Sequence, residues 1–185
     1  MTGIEKGLVK RFRTGEVDAF DELYGMTVER IYRFALRLTG NPEDAEDVTA
    51  ETYTAAFRGR ESFEQRSSVE TWLFRITVHQ ARRVTRKRKA LTGDTDSEVC
   101  LRSDSDMRMV ELLELVQALP ERLRTPFLLV KSEGLTYREA AEVLGRPTGT
   151  VQWAVAKASQ TIRDQWFDPP GPMTAEVPEV CGHEL

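Results

Sequence analysis

The chain has 185 residues, with 26 Lys and Arg against 30 Asp and Glu and a formal charge of −4, which is room for one ordinary domain or two small ones of roughly 60 to 90 residues each. Phe127 to Val130 is as long as its uninterrupted apolar runs become, far short of the ~18 residues a membrane span needs, so a transmembrane helix is excluded and no membrane partner is expected. The opening Met1-Thr2-Gly3-Ile4-Glu5-Lys6 lacks the apolar stretch of a signal peptide. Cys100 and Cys181 lie in polar surroundings, form no paired framework and read as ordinary thiols.

A charge of −4 argues against a nucleic-acid partner until it is divided along the chain. Residues 41–57 carry −5, residues 58–90 carry +7, residues 91–106 carry −4 and residues 164–185 carry −5. One strongly basic block therefore sits among acidic ones.

Helical periodicity runs through the sequence with no competing β-branched alternation, so the expected fold class is all-α. Leu8, Phe12, Phe20, Leu23, Tyr24, Val28, Ile31, Phe34, Ala35 and Leu38 recur at three- and four-residue steps and predict two amphipathic helices broken near Thr14-Gly15. Thr39-Gly40-Asn41-Pro42 is a stop and restart, with Gly past the last turn and Pro opening the next helix. Glu43, Asp44, Glu46 and Asp47 fill the first turns of that helix, where carboxylates suit the positive end of the dipole, and it is expected to reach about Arg58. Beyond a polar loop, Gly59 to Ser67, the pair Ser67 and Glu70 reads as a capping box. The helix it opens has an apolar stripe of Val69, Trp72, Leu73, Ile76, Ala81 and Val84 and ends in a run of six cations between Arg82 and Lys89. Residues 92–106 are polar and acidic and read as a flexible linker.

A second helical unit follows. Met109, Leu112, Leu113, Val116 and Leu119 predict a helix ended by Pro120, and Leu123, Phe127, Leu128 and Val130 another ended near Gly134. Thr136 and Glu139 form a second capping box before a short helix that Gly145 stops, and Val151, Val155, Ala158 and Ile162 mark the inner face of the last helix. The tail from Asp168, with four prolines and three glutamates, has little capacity to form a core and reads as disordered.

Leu135 to Val151 has the helix-turn-helix pattern: small Ala140 lets two helices approach, Gly145 permits the turn, and Val151 packs the second helix back. A generic αα-hairpin shares this pattern; as a DNA reader it would turn residues 148, 149, 152, 153 and 156 to the major groove. The cations at 82–89 surround nearly the whole helix circumference, more than a helix end needs to satisfy its dipole, and phosphate contact is the economical use for them. Upstream, Phe63, Trp72 and Phe74 interleave with Arg60, Arg66, Arg75 and His79, a mixture able to stack and hold unpaired bases, although Trp72 and Phe74 serve a core equally well. No phosphate-binding Gly loop, metal-ligand cluster or nucleophile–base pair occurs, so neither enzyme chemistry, nor a metal, nor a cofactor is expected.

Taken in order, Asp44-Ala45-Glu46-Asp47-Val48 through Glu51-Thr52-Tyr53, then Phe63, Ser67 to Ile76 with the basic run, and the helix-turn-helix resemble a bacterial RNA polymerase sigma factor of the extracytoplasmic-function group, over about residues 7–165. The resemblance implies two small helical domains joined by a linker: a sigma-2 domain at 7–90, a linker at 91–106, a sigma-4 domain at 107–167 and an acidic tail at 168–185. It implies docking of Glu43, Asp44, Glu46, Asp47 and Glu51 on the clamp helices of the largest subunit of core RNA polymerase. It implies capture of melted minus-ten promoter DNA by Arg60, Phe63, Ser67, Ser68, Thr71, Trp72, Arg75, His79, Arg82, Arg83 and Arg86, and reading of the minus-thirty-five duplex by Arg146, Thr148, Thr150, Gln152, Trp153 and Lys157. It also implies an anti-sigma partner of the kind members of this group often have, and, with the missing targeting signals, a cytoplasmic setting.

Two other functions use the same residues: a helix-turn-helix regulator that acts without polymerase, and an interaction protein that keeps sigma-like surfaces to titrate polymerase or an inhibitor. The acidic 43–51 helix and the 60–89 region argue against the first, which needs neither. The last helix departs from the group, where several cations usually follow Gly-Thr-Val; here Lys157 and Arg163 are its only cations. Weak or altered minus-thirty-five reading is expected, with Gln152 able to pair with adenine and Trp153 able to contact a thymine methyl or a protein. Cys181 and His183 are too few for a zinc site, and the −5 of residues 164–185 could fold back on the +7 block.

Overall fold

Local signals fix most helix ends. The computed structural model describes residues 6–92 and 107–167, and among them every regular element is helical. The chain runs α1 (Lys6–Thr14), α2 (Val17–Thr39), α3 (Pro42–Gly59), a 3-10 turn (Arg60–Ser62), α4 (Val69–Thr92), α5 (Met107–Ala118), α6 (Glu121–Phe127) continued by a π turn (Leu128–Ser132), α7 (Tyr137–Leu144) and α8 (Thr148–Phe167). The linker and tail predictions, with Cys100, Cys181 and His183, lie outside the described residues.

Between α2 and α3 the reversal takes two residues, Gly40 and Asn41. Gly40 adopts φ +71°, a left-handed conformation that costs glycine little, and its N–H donates to Leu36 O at 2.8 Å. Asn41 then accepts from Asp44 N at 3.0 Å, and Pro42 supplies the first helical φ without a wasted N–H. This tight turn folds α3 back along α2, with α4 against both. Phe34 and Phe74, each at most 1% exposed, meet edge to face at 5.0 Å between α2 and α4. Such a pair adds about 0.5–1.5 kcal/mol to the area it buries. A smaller cluster of Leu8, Val9, Phe12, Leu23, Phe63 and Val69 fastens α1 and the loop before α4 to this bundle.

In the second half, α6 and α7 pack on α8. Pro126 lies inside α6 and has no N–H to return to Arg122, and the ladder widens immediately afterwards into the π turn, where Glu133 N reaches Leu128 O at 2.9 Å. The two halves are in contact: α7 lies on α4, α5 touches α2, and one continuous apolar cluster includes Leu38, Val78 and Ala81 from the first half with Leu123, Leu129 and Ala140 from the second.

Candidate nucleic-acid interface

Helix α4 begins one residue later than the sequence suggests. Ser68, not Ser67, is the cap: its Oγ accepts from Thr71 N at 3.0 Å and shares a hydrogen bond with Thr71 Oγ1 at 2.8 Å. Glu70 does not close a capping box. Its carboxylate accepts from Arg30 Nη1 at 2.8 Å in a buried setting, where a guanidinium satisfies it better than a neutral amide would.

The cap sets the rotation of α4. Arg75, His79, Arg83 and Arg86 follow at steps of three and four residues and all are exposed, forming one cationic stripe. Arg82 belongs to the same stripe, but its Nε donates to Glu121 on α6 at 2.9 Å. Not all of the run is open to solvent: Arg88 faces α3 and its Nη1 donates to Asp44 Oδ2 at 2.6 Å. The loop residues are committed elsewhere. Phe63 is buried and stacks on Trp72 with ring centres 4.9 Å apart, and Trp72 also meets the edge of Phe12. Arg60 donates to Phe57 O at 2.7 Å and lies over the Phe57 ring. Thr71 is buried beside Ser68, while Ser67 and Ser68 are half-buried. Gln65, which the sequence did not single out, has φ +56° at the tip of this loop. A non-glycine side chain there carries backbone strain of about 1–2 kcal/mol.

On α3 the acidic residues divide. Glu43, Glu46, Asp47 and Glu51 are exposed, while Asp44 is half-buried in its pair with Arg88. With Glu51 lying 3.8 Å from Arg83, two ion pairs tie the acidic helix to the basic one. Nearby, Val17, Phe20, Tyr53, Thr54 and Phe57 line an open apolar groove of about 440 Å³ between α2 and α3, which helical periodicity alone does not reveal. Burial pushes the Tyr53 hydroxyl up to about 12, and its hydrogen bond with Thr27 partly opposes the shift.

The helix-turn-helix forms as its sequence predicts. Thr136 and Glu139 cap each other, through Glu139 N to Thr136 Oγ1 at 3.2 Å and Thr136 N to Glu139 Oε2 at 2.8 Å. Gly145 makes the turn at φ +60°, and Ala140 and Val151 are fully buried where α7 meets α8. Gly149, Thr150, Gln152, Trp153, Ala156 and Lys157 share the exposed side of α8, Thr148 is half-buried, and Arg146 is exposed in the turn. Trp153 is 59% exposed, more than any packing role would leave.

A cationic stripe on one helical unit, an acidic face beside it and a helix-turn-helix on the other unit define a DNA-binding protein that also meets a protein partner. Residues 23–91 match the family Sigma-70 region 2, and residues 109–162 match Sigma-70, region 4. The chain is 30% identical to the RNA polymerase sigma-H factor of Pseudomonas aeruginosa, over 85% of this chain and 91% of that one. It is 34% identical to the ECF RNA polymerase sigma factor SigE of Mycolicibacterium smegmatis, over 79% of this chain and 61% of that one. Among solved structures, the sigma factor RpoE in complex with the anti-sigma factor NepR from Bartonella quintana shares the fold, with a TM-score of 0.75 and 22% identity over 83% of this chain and 100% of that one. The chain belongs to the sigma-70 family and to its extracytoplasmic-function group, whose members are transcription initiation factors that bind core RNA polymerase.

Proposed function

We propose that this chain brings core RNA polymerase to a promoter class by a division of labour between its two halves: residues 7–90 dock on polymerase and hold the melted minus-ten strand, and residues 107–167 contact the upstream duplex. The observation that carries this reading is the pairing of opposite faces on adjacent helices. Glu43, Glu46 and Asp47 point out from α3, Arg75, His79, Arg83 and Arg86 point out from α4, and the Asp44–Arg88 pair holds the two helices together. A protein partner on the acidic face then leaves the basic face free for phosphates. Phe63 and Trp72 stay in the core in this reading and support the strand-binding loop from beneath, so that Arg75, His79, Arg83 and Arg86 make the first contacts. The chain supplies binding energy and no bond chemistry, in the cytoplasm where polymerase works.

On α8 the lack of cations around Gln152 and Trp153 supports weak minus-thirty-five binding, because each missing phosphate contact removes about one released counterion. An anti-sigma factor is a further partner, supported by the likeness to RpoE, whose structure is a complex with the anti-sigma factor NepR. Run-off transcription with purified core enzyme and a genomic promoter library tests the proposal. Initiation at a restricted promoter set, lost when Glu46 and Asp47 are reversed to Lys, is expected. Core binding without initiation at any promoter would establish the titrating role instead.

A further inference from the structure

The three tryptophans of the chain are placed differently. Trp72 packs on Phe63 and Phe12 in the first half, and Trp166 is half-buried near the end of α8. Trp153 is 59% exposed, and its indole has no ring partner and no hydrogen bond among the described residues. Its neighbours on the outer face of α8 are small or polar. Gly149 precedes it by four residues and Ala156 follows by three; Thr150, Gln152 and Lys157 complete the face, and all five are exposed. The fold does not demand glycine at 149, where a Cβ would meet nothing within 4 Å and φ is not positive. Glycine is a poorer helix residue than alanine, and what it leaves is a clear strip beside the indole, since helical side chains lean toward the N-terminus and Trp153 reaches back over that turn.

The chemistry of this face favours DNA over a protein as its cover. A helix that docks on protein presents an apolar stripe at three- and four-residue steps. At those steps from Trp153 stand Gly149, Thr150, Ala156 and Lys157, which make no such stripe, and an apolar cover would leave Thr150, Gln152 and Lys157 without partners. The major groove satisfies all of them. In a helix-turn-helix the first turns of the second helix meet base edges. There thymine presents a C5-methyl group, adenine presents an N6 donor and an N7 acceptor that one amide can bond together, and phosphates line the edge within reach of a lysine.

We propose that Trp153 is the specificity-determining residue of the upstream contact: its ring packs on the methyl group of a thymine in the major groove while Gln152 holds an adenine of a neighbouring base pair; this rests on the promoter reading above. The second half then selects adjacent A·T pairs through contacts that release no counterions. Raising salt lowers the affinity of the whole complex, through Lys157 and the α4 stripe, and leaves the preference for thymine nearly unchanged. Cytosine lacks the methyl group, and the purines offer polar edges to the ring instead.

The test uses the full chain with core enzyme and a promoter library randomised across the upstream duplex. The parent enzyme is expected to enrich A·T pairs there. Replacing the enriched thymine with deoxyuridine, which lacks only the methyl group, should weaken binding about fourfold, and replacing the enriched adenine with 7-deaza-adenine, which lacks the N7 acceptor, about fivefold. Trp153→Ala should abolish the deoxyuridine effect and keep the adenine effect, and Gln152→Ala should do the reverse. Both side chains are exposed, and unchanged thermal unfolding checks that the variants fold. Trp153→Arg should lose the thymine preference and steepen the slope of log K against log salt by about 1. A deoxyuridine effect that survives Trp153→Ala, or enrichment of other pairs by the parent enzyme, would overturn the assignment. Trp153→Ala that weakens binding equally on thymine and deoxyuridine promoters would give the ring to a protein partner instead. Failure of the promoter reading shows separately, as a parent chain that binds core enzyme and enriches no upstream sequence, and it removes this site as well.

Discussion

Helix α4 and helix α8 are assigned to neighbouring stretches of the same DNA, yet they present different chemistry. Along α4, Arg75, Arg83 and Arg86 are exposed within about three turns, with His79 between them. The exposed side of α8 offers Lys157, with Gln152, Trp153, Thr150 and Ala156 around it. Phosphate contact by cations gives affinity that is indifferent to sequence and steeply dependent on salt, whereas amide and aromatic contacts to base edges discriminate without adding much grip. In the proposed function the first half holds DNA and the second chooses it. A weak chooser is sufficient when polymerase and the minus-ten strand already hold the complex together, because the second half then binds as a tethered group.

The largest effect should come from dismantling the holding side. Replacing Arg75, Arg83 and Arg86 together with Ala is expected to weaken promoter binding by polymerase carrying this chain by on the order of 100-fold, and to reduce the slope of log K against log salt by about 2 on a single strand. Lys157→Ala should change that slope by no more than about 1. Fluorescence anisotropy with labelled promoter DNA across a salt series measures both. Equal slope changes from the triple replacement and from Lys157→Ala would break the contrast between the two helices.

Much of this contrast is legible in the sequence because it depends on local periodicity. The α4 stripe, the stop and restart at Gly40-Asn41-Pro42, the Thr136–Glu139 box and the inner face of α8 are all set by residues within a few positions of one another. What the sequence hides is non-local. The choice between Ser67 and Ser68 as cap turns on Glu70, whose carboxylate goes to Arg30 forty residues away. Phe63 looks like a base-stacking aromatic in a polar loop, and only the fold of α1 back onto that loop shows its ring to be buried between Trp72 and the first helix. Arg88 sits in a run of cations, and its rotation toward Asp44 follows from the α3–α4 packing. The contact between the halves is non-local too, since Glu133 meets Arg30 and Arg37 about a hundred residues away.

The caps sharpen the comparison at the level of stability. Ser68→Ala in the first half and Thr136→Ala in the second each remove a side chain that accepts from a free helix-start amide, a loss of about 1 kcal/mol. Each replacement also breaks a second side-chain hydrogen bond, Ser68 with Thr71 Oγ1 and Thr136 with Glu139 Oε2, so the two losses should be alike. With a shared core, both replacements should lower a single thermal transition by about 2–4 °C. Calorimetry that splits the unfolding into two transitions, with each replacement moving only one, would show the halves to be independent.

The smallest predicted effect concerns Tyr53, at the junction of α2 and α3 beneath the acidic face. Thr27 donates its hydroxyl proton to Leu23 O at 2.7 Å, so the Tyr53 hydroxyl donates to Thr27 Oγ1, also at 2.7 Å. Ionised Tyr53 would bring a charge into an apolar site, so burial pushes its pKa from 10.0 up to about 12, while Thr27, able to turn its hydroxyl proton to the phenolate, partly opposes the shift. The folded-state value lies above the unfolded one, so the contribution of this group to stability is complete below pH 10 and is lost as pH rises through 12. Tyr53→Phe removes one hydrogen bond, about 1 kcal/mol near neutral pH, and also removes the ionisation. Denaturant unfolding of the two proteins should therefore differ by that amount at pH 8, and the gap should close and then reverse as pH rises through 12, with the Phe variant the more stable. A gap constant to pH 12 would place the hydroxyl in contact with water and the groove beside it open to solvent down to Thr27.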